Sequence, residues 1–201
     1  YVSYPPIFKS SVIQYRLMEE DNWKIDFDDI RKKLNNNVKL LCVINPNNPT
    51  GSVLEKDEIL KLIEIVDEYP NCTIISDEIY NKFNFEDNHI SIASLSKKTP
   101  VITLNGISKG YFAPGWRIGY IAIHDPEDKL EYVRDGIEKL LRGRLSAPTP
   151  AQHGFLAALN EKENWRDNYN EKLINQRNYC VERINDIDGI SVRKPKGAFY
   201  I

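Results

Sequence analysis

The sequence predicts an α/β domain with a mainly parallel sheet, and three observations lead there. Short continuous apolar runs at 38–44 ("VKLLCVI"), 72–76 ("CTIIS") and 101–104 ("VITL") read as strands buried on both faces. Between the first two, Ile59, Ile63 and Val66 mark one face of a helix. Each run is followed at once by polar, turn-forming residues. Buried strands that alternate with amphipathic helices cover one another only in layers.

Taken in order, Asp26 stands before Phe27, Ile30 and Leu34, a helix-start residue followed by apolar positions at helical spacing. The strand at 38–44 is ended by Asn-Pro. The next helix begins near Leu54 and stops before Pro70. After the strands at 72–76 and 101–104 comes a fourth, more alternating one at 117–123 ("RIGYIAI"). Leu130, Val133, Ile137 and Leu140 define an amphipathic helix, and 151–159 a shorter one behind Pro148 and Pro150. From about Asn164 the texture changes. Trp165, Tyr169, Leu173, Cys180 and Ile184 lie near helical spacing in a highly charged segment that ends at Gly189, before the strand-like "ISV". This predicts a division into 1–163 and 164–201, the second part being a connecting helix and the start of another domain. The first residue, Tyr1, and the strand-like "GAFYI" at the other end suggest a piece of a longer chain. No internal repeat or low-complexity tract is present.

Composition excludes several function classes. The 201 residues are 41% hydrophobic, enough for one substantial core. Lys+Arg 27 against Asp+Glu 29 gives a formal charge of -2, with no long single-sign run to track a nucleic-acid backbone. Cys42, Cys72 and Cys180 are odd in number and far apart, which fits neither a disulfide framework nor a zinc site and suits a reducing cytoplasm. No apolar run approaches the roughly 18 residues of a membrane span. His89, His124 and His153 are scattered without metal-ligand spacing, so no metal is expected.

In open α/β sheets, ligands bind beyond the carboxyl ends of the parallel strands. "NPNNPTG" (45–51) follows the first run, "DEIY" (77–80) the second and "NGISK" (105–109) the third. Singly, each has an ordinary explanation: a turn of fixed backbone angles, a strand-end carboxylate, a solvated lysine. Together with "NGISKGYFAPGWRIGY" and "KPKGAFY", in this order and spacing, they resemble the pyridoxal-phosphate (PLP) aminotransferases of fold type I, class I/II, over nearly the whole chain.

That resemblance implies a three-layer α/β/α large domain with the beginning of a smaller C-terminal α+β domain. It implies pyridoxal 5'-phosphate as cofactor and a role for each motif residue. Lys109 would be the lysine bonded to the cofactor aldehyde and the general base at the substrate Cα. Asp77 would pair with the ring N–H, and Asn48 and Tyr80 would hydrogen-bond the ring 3-oxygen. Arg117, a planar fork of donors suited to a dianion, would clamp the phosphate with help from Ser108. Gly106 stands where some relatives have a second phosphate-binding serine. Tyr1, in "YVSYP", would stack on the ring face.

The implied reaction moves an amino group between an amino acid and a 2-oxo acid, in a homodimer. "RGRLSAPTPAQHG" (142–154) resembles prokaryotic alanine aminotransferases and points to alanine and 2-oxoglutarate. Arg142 and Arg144 would there meet a substrate's distal carboxylate, or would simply be helix-end cations favoured by the helix dipole. The arginine for the α-carboxylate and a further phosphate loop are expected outside these residues. Two other readings share the motifs: a PLP-dependent carbon-sulfur β-lyase, and an aminotransferase-like sensor domain of a transcription regulator. Trp23, Trp116 and Trp165 are read as packing residues, with Trp116 close to the phosphate clamp, and Tyr111 and Phe112 as candidates for the pocket wall.

Overall fold

The computed structural model describes residues 1–86, 88–161 and 165–201, so the division expected between 163 and 164 lies outside the described residues. The chain begins with an arm that holds a short 3-10 helix (Pro5–Phe8), followed by a small antiparallel pair, β1 (Leu17–Met18) and β2 (Lys24–Ile25). Helix α1 (Phe27–Lys33) follows. Asp26 caps it by accepting the Asp29 N–H at 2.9 Å, and Arg31, Lys32 and Lys33 lie in its last turn, where the helix dipole favours cations.

The main sheet has four strands in the order β3 (Leu40–Ile44), β4 (Thr73–Asp77), β5 (Val101–Gly106) and β6 (Gly119–His124). The first three are parallel and β6 is antiparallel to β5. Between β3 and β4 runs α2 (Lys56–Asp67), whose first turn is fixed by the Glu55 N–H donating to Glu58 Oε2 at 2.9 Å. The helix face predicted from Ile59, Ile63 and Val66 is buried, and Leu62 and Ile65 widen it. These side chains pack with Ile30, Val43, Ile74, Ile92 and Val101 into the principal core. Each such residue contributes about 1.5–3 kcal/mol by leaving water.

Three helices complete the chain: α3 (Glu131–Arg144), α4 (Thr149–Asn160) and α5 (Trp165–Asn185). Helix α3 forms where its periodicity predicts, but Leu130 is buried just ahead of it while Leu140 is 76% exposed. The strand-like "ISV" forms no strand. Asn185 explains this: its side chain accepts the Val192 N–H at 2.9 Å and donates to the Val192 carbonyl at 3.3 Å, occupying the backbone groups a ladder would need. "GAFYI" likewise contributes one bridge rather than a strand, Gly197 to Asn84. It is flanked by Phe85 N–H to Lys196 O at 2.9 Å and Ala198 N–H to Phe83 O at 2.8 Å. Around this bridge Tyr80, Phe83 and Ala198 form a second, smaller core with Ile79, Phe85, Leu173 and Tyr200 against it.

Among the described residues no helix is long and apolar enough to cross a membrane. All three cysteines are free thiols.

Candidate active site

Strand register makes the site. Ile44 pairs with Asp77 and Asp77 with Leu104, so the three parallel strands turn polar at one edge, with β5 running two residues further to Gly106. The ladder closes with Asn45 N–H to Asp77 O and Glu78 N–H to Leu104 O, both 2.9 Å.

The loop 45–51 is built from its own side chains. Asn45, 1% exposed, accepts the Leu54 N–H at 3.0 Å, and Asn47 Oδ1 accepts from the Thr50 hydroxyl at 2.9 Å. Gly51 has φ +67 and faces Pro195 and Gly197 too closely for any side chain. Its carbonyl accepts both the Lys196 and Gly197 N–H groups at 2.9 Å. The first and last motifs, far apart in sequence, are thereby joined.

Asn48, from this loop, donates through Nδ2 to the Tyr80 hydroxyl at 3.3 Å. Tyr80 is 3% exposed, and its hydroxyl meets that of Tyr200 at 2.7 Å. Burial pushes the Tyr80 phenol well above its usual range, so it keeps its proton. Asp77 ends β4 with Oδ1 accepting the Ile79 N–H at 3.2 Å and Oδ2 accepting the Tyr1 hydroxyl at 2.5 Å. Tyr1, read from the sequence as a stacking residue, places its hydroxyl on the carboxylate. Burial and the Asp77 carboxylate push its phenol up strongly.

Ser108, Lys109 and Arg117 share the loop that joins β5 to β6. Its two ends are held together by Ile107 N–H to Ile118 O at 3.3 Å. Gly106 and Gly119 face each other in the ladder; a Cβ on Gly106 would sit 2.7 Å from Ile118 O and 2.9 Å from Gly119 Cα. A side chain has no room there, so glycine is dictated by the close approach of the strands. Lys109 is partly buried, with Nζ 5.9 Å from the Tyr80 ring centre and 5.8 Å from that of Phe199. Among the described residues it makes no ion pair, and the aromatic faces are its electrostatic partners. Ser108 is partly exposed beside it. Arg117 is exposed, in the left-handed region at φ 55, and donates through Nη1 to Pro114 O at 2.9 Å. The ring of Trp116, 47% exposed, lies against Gly154 of α4, one residue from the arginine.

Arg142 and Arg144 stand apart from this group. They occupy the last turn of α3, where Arg142 pairs with Glu138 at 3.2 Å in solvent. Among the described residues no hydrogen bond or ion pair links either to the strand-end cluster.

Sequence reasoning passed over two groups. Glu78, 3% exposed, accepts from Ser76 at 2.9 Å, Ser91 at 2.8 Å and His89 Nε2 at 3.0 Å. Burial alone would raise its carboxyl; the hydrogen bonds from His89 and Ser91, the attraction of His89 and the Ser76 bond together hold it below the ordinary range. Tyr200 is the other. Only the "KPKGAFY" motif as a whole gave any signal for it.

The edge thus gathers an amine, a carboxylate and an amide–phenol pair, and the loop that carries the amine also carries a hydroxyl and a guanidinium. Among the described residues no three His, Cys, Asp or Glu side chains group as a metal site would require. The family described as aminotransferase class I and II matches residues 1–201. The chain is 38% identical over 192 residues to glutamate-pyruvate aminotransferase AlaA of Escherichia coli K12, covering 94% of this chain and 47% of that protein. It is 34% identical to an alanine aminotransferase of Mycobacterium bovis, covering 94% and 44%. In structure it resembles an alanine aminotransferase from Pyrococcus furiosus, with TM-score 0.92 and 45% identity over 96% of this chain and 49% of that one. The chain spans about half the length of the relatives it matches.

Proposed function

Because the chain belongs to the class I and II aminotransferases, we propose that it carries the cofactor-holding part of a PLP-dependent transaminase, which moves an amino group between an amino acid and a 2-oxo acid. The observation that carries this reading is the junction of Lys109, whose ammonium faces the Tyr80 ring, with Asn48 bonded to Tyr80 and Asp77 in adjacent register.

The donor set fits the cofactor group by group. The Lys109 amine suits the aldehyde, the Asp77 carboxylate the pyridine nitrogen, Asn48 and Tyr80 the 3-oxygen, and Arg117 with Ser108 the phosphate. Tyr1, beside Asp77, would cover the ring. When bound, PLP supplies an electron sink for the charge left at Cα as its proton departs. Lys109 Nζ takes that proton as general base and delivers it as general acid. The Asp77 carboxylate would balance the positive charge of the ring nitrogen. Tyr80 stays protonated and donates, with Asn48, to the 3-oxygen.

The substrate pair we propose is alanine with 2-oxoglutarate, supported by the "RGRLSAPTPAQHG" segment and by the names of the relatives. Arg142 and Arg144 meet the distal carboxylate of the dicarboxylic acid, from a site shared between two copies in a cytoplasmic homodimer. The test is the full chain, loaded with PLP and assayed with a panel of amino donors and 2-oxoglutarate. Alanine should lead the panel. Release of pyruvate and ammonia from cysteine conjugates in place of amino transfer would favour a β-lyase instead.

A further inference from the structure

Tyr80 and Tyr200 are 120 positions apart, yet their hydroxyls meet at 2.7 Å. Tyr200 arrives there because Gly51 O holds Lys196 and Gly197, and because Ala198 N–H bonds Phe83 O at 2.8 Å. The rings pack edge to face, centres 5.7 Å apart, and Phe199 packs on Tyr80 at 5.4 Å.

A phenol has one proton to give and two lone pairs to receive with. Asn48 Nδ2 already donates to the Tyr80 oxygen. If Tyr80 gives its own proton to an ionised oxygen of the cofactor, the contact with Tyr200 can persist only with Tyr200 as donor. Two donors on one phenol oxygen polarise its O–H, and hydrogen bonds in such a chain strengthen one another.

We infer that Tyr200 is a positioning residue for the reaction: its hydroxyl donates to Tyr80 and makes Tyr80 a stronger donor to the cofactor's 3-oxygen. The inference rests on the cofactor reading above. It assigns to the "GAFY" segment an electronic part in the site as well as a packing one. A stronger donor stabilises the deprotonated form of the oxygen it serves, so losing Tyr200's hydroxyl makes that form harder to reach.

The experiment is a spectrophotometric pH titration of the PLP-loaded full chain, reading the midpoint of the bound cofactor's visible absorbance. Tyr200→Phe keeps the ring and removes the hydroxyl. The midpoint should rise by about half a pH unit, the scale of one modest hydrogen bond. In a Tyr80→Phe background the same substitution should move it by less than about 0.2 unit, because the effect passes through Tyr80. Circular dichroism of each variant reports folding, and Tyr200→His, a polar ring able to donate, should restore part of the shift. An unchanged midpoint in a folded, PLP-loaded Tyr200→Phe protein overturns the inference alone. A fall overturns it too, since Tyr200 would then be withholding the Tyr80 proton. An equal shift with and without the Tyr80 hydroxyl reveals a merely structural effect and overturns it likewise. Failure of the unsubstituted chain to take up PLP through Lys109 overturns the cofactor reading, and this inference with it.

Discussion

The Tyr1 hydroxyl donates to Asp77 Oδ2 at 2.5 Å, on the same carboxylate proposed to hold the cofactor's ring nitrogen. Both donors draw on one carboxylate, and the Tyr1 bond weakens it as an acceptor for the ring. Tyr1→Phe keeps a stacking surface and removes the competitor. PLP affinity should rise about two- to tenfold, the span of one hydrogen bond, in an equilibrium titration of the full chain. Weaker binding would mean that the hydroxyl itself serves the bound cofactor.

Glu78 predicts an acid-sensitive stability. Its carboxyl is held below the ordinary 4.5 in the folded chain, because the donated hydrogen bonds and His89 outweigh the cost of burial. A depressed folded value means that stabilisation is complete above the unfolded value and is lost as pH falls through the folded one. Glu78→Ala leaves Ser76, Ser91 and His89 without their acceptor and should cost about 2–4 kcal/mol at neutral pH. Urea unfolding from neutral to acid pH should show the gap between the two proteins closing below about pH 4.5.

Gly106 and Gly115 make a contrasting pair. A Cβ at Gly106 would stand 2.7 Å from the Ile118 carbonyl, whereas nothing lies within 4 Å of one at Gly115. Gly106→Ala should cost about 1–3 kcal/mol and disturb the loop that carries Lys109. Gly115→Ala should stay within about 0.5 kcal/mol in the same denaturation assay.

Arg142 separates stability from substrate recognition. Its pair with Glu138 lies in solvent on one helix, and such pairs contribute about 0.3–0.5 kcal/mol. Arg142→Ala should barely move the Tm, yet raise the KM for 2-oxoglutarate about tenfold through the lost charged hydrogen bond, with pyruvate affected less than about twofold. Equal effects on both acids would remove this residue from the proposed substrate site.

What could be read before the fold was known follows from the range of each interaction. Periodicity reports local burial, so the Ile59, Ile63 and Val66 face and the strand read at 72–76, observed at Thr73–Asp77, were both legible. The ordered motifs were enough to bring Asn48, Asp77, Tyr80 and Lys109 to one edge. Long-range backbone pairings leave no such trace. The bonds from Gly51 to Lys196 and Gly197, which deliver Tyr200 to Tyr80, depend on chain ends brought together only by the fold. Glu78 hid for a related reason: its three donors, Ser76, His89 and Ser91, follow no period. At "ISV" a β-prone run lost to a competitor that periodicity cannot register, the side chain of Asn185.

The most direct test of the central claim is borohydride reduction of the PLP-loaded full chain, followed by mass mapping of its proteolytic peptides. Reduction fixes the pyridoxyl group to whichever amine holds it. The account predicts that added mass on the peptide containing Lys109 and its disappearance in Lys109→Ala. Pyridoxyl mass on a different lysine, or on no peptide at all, would contradict it.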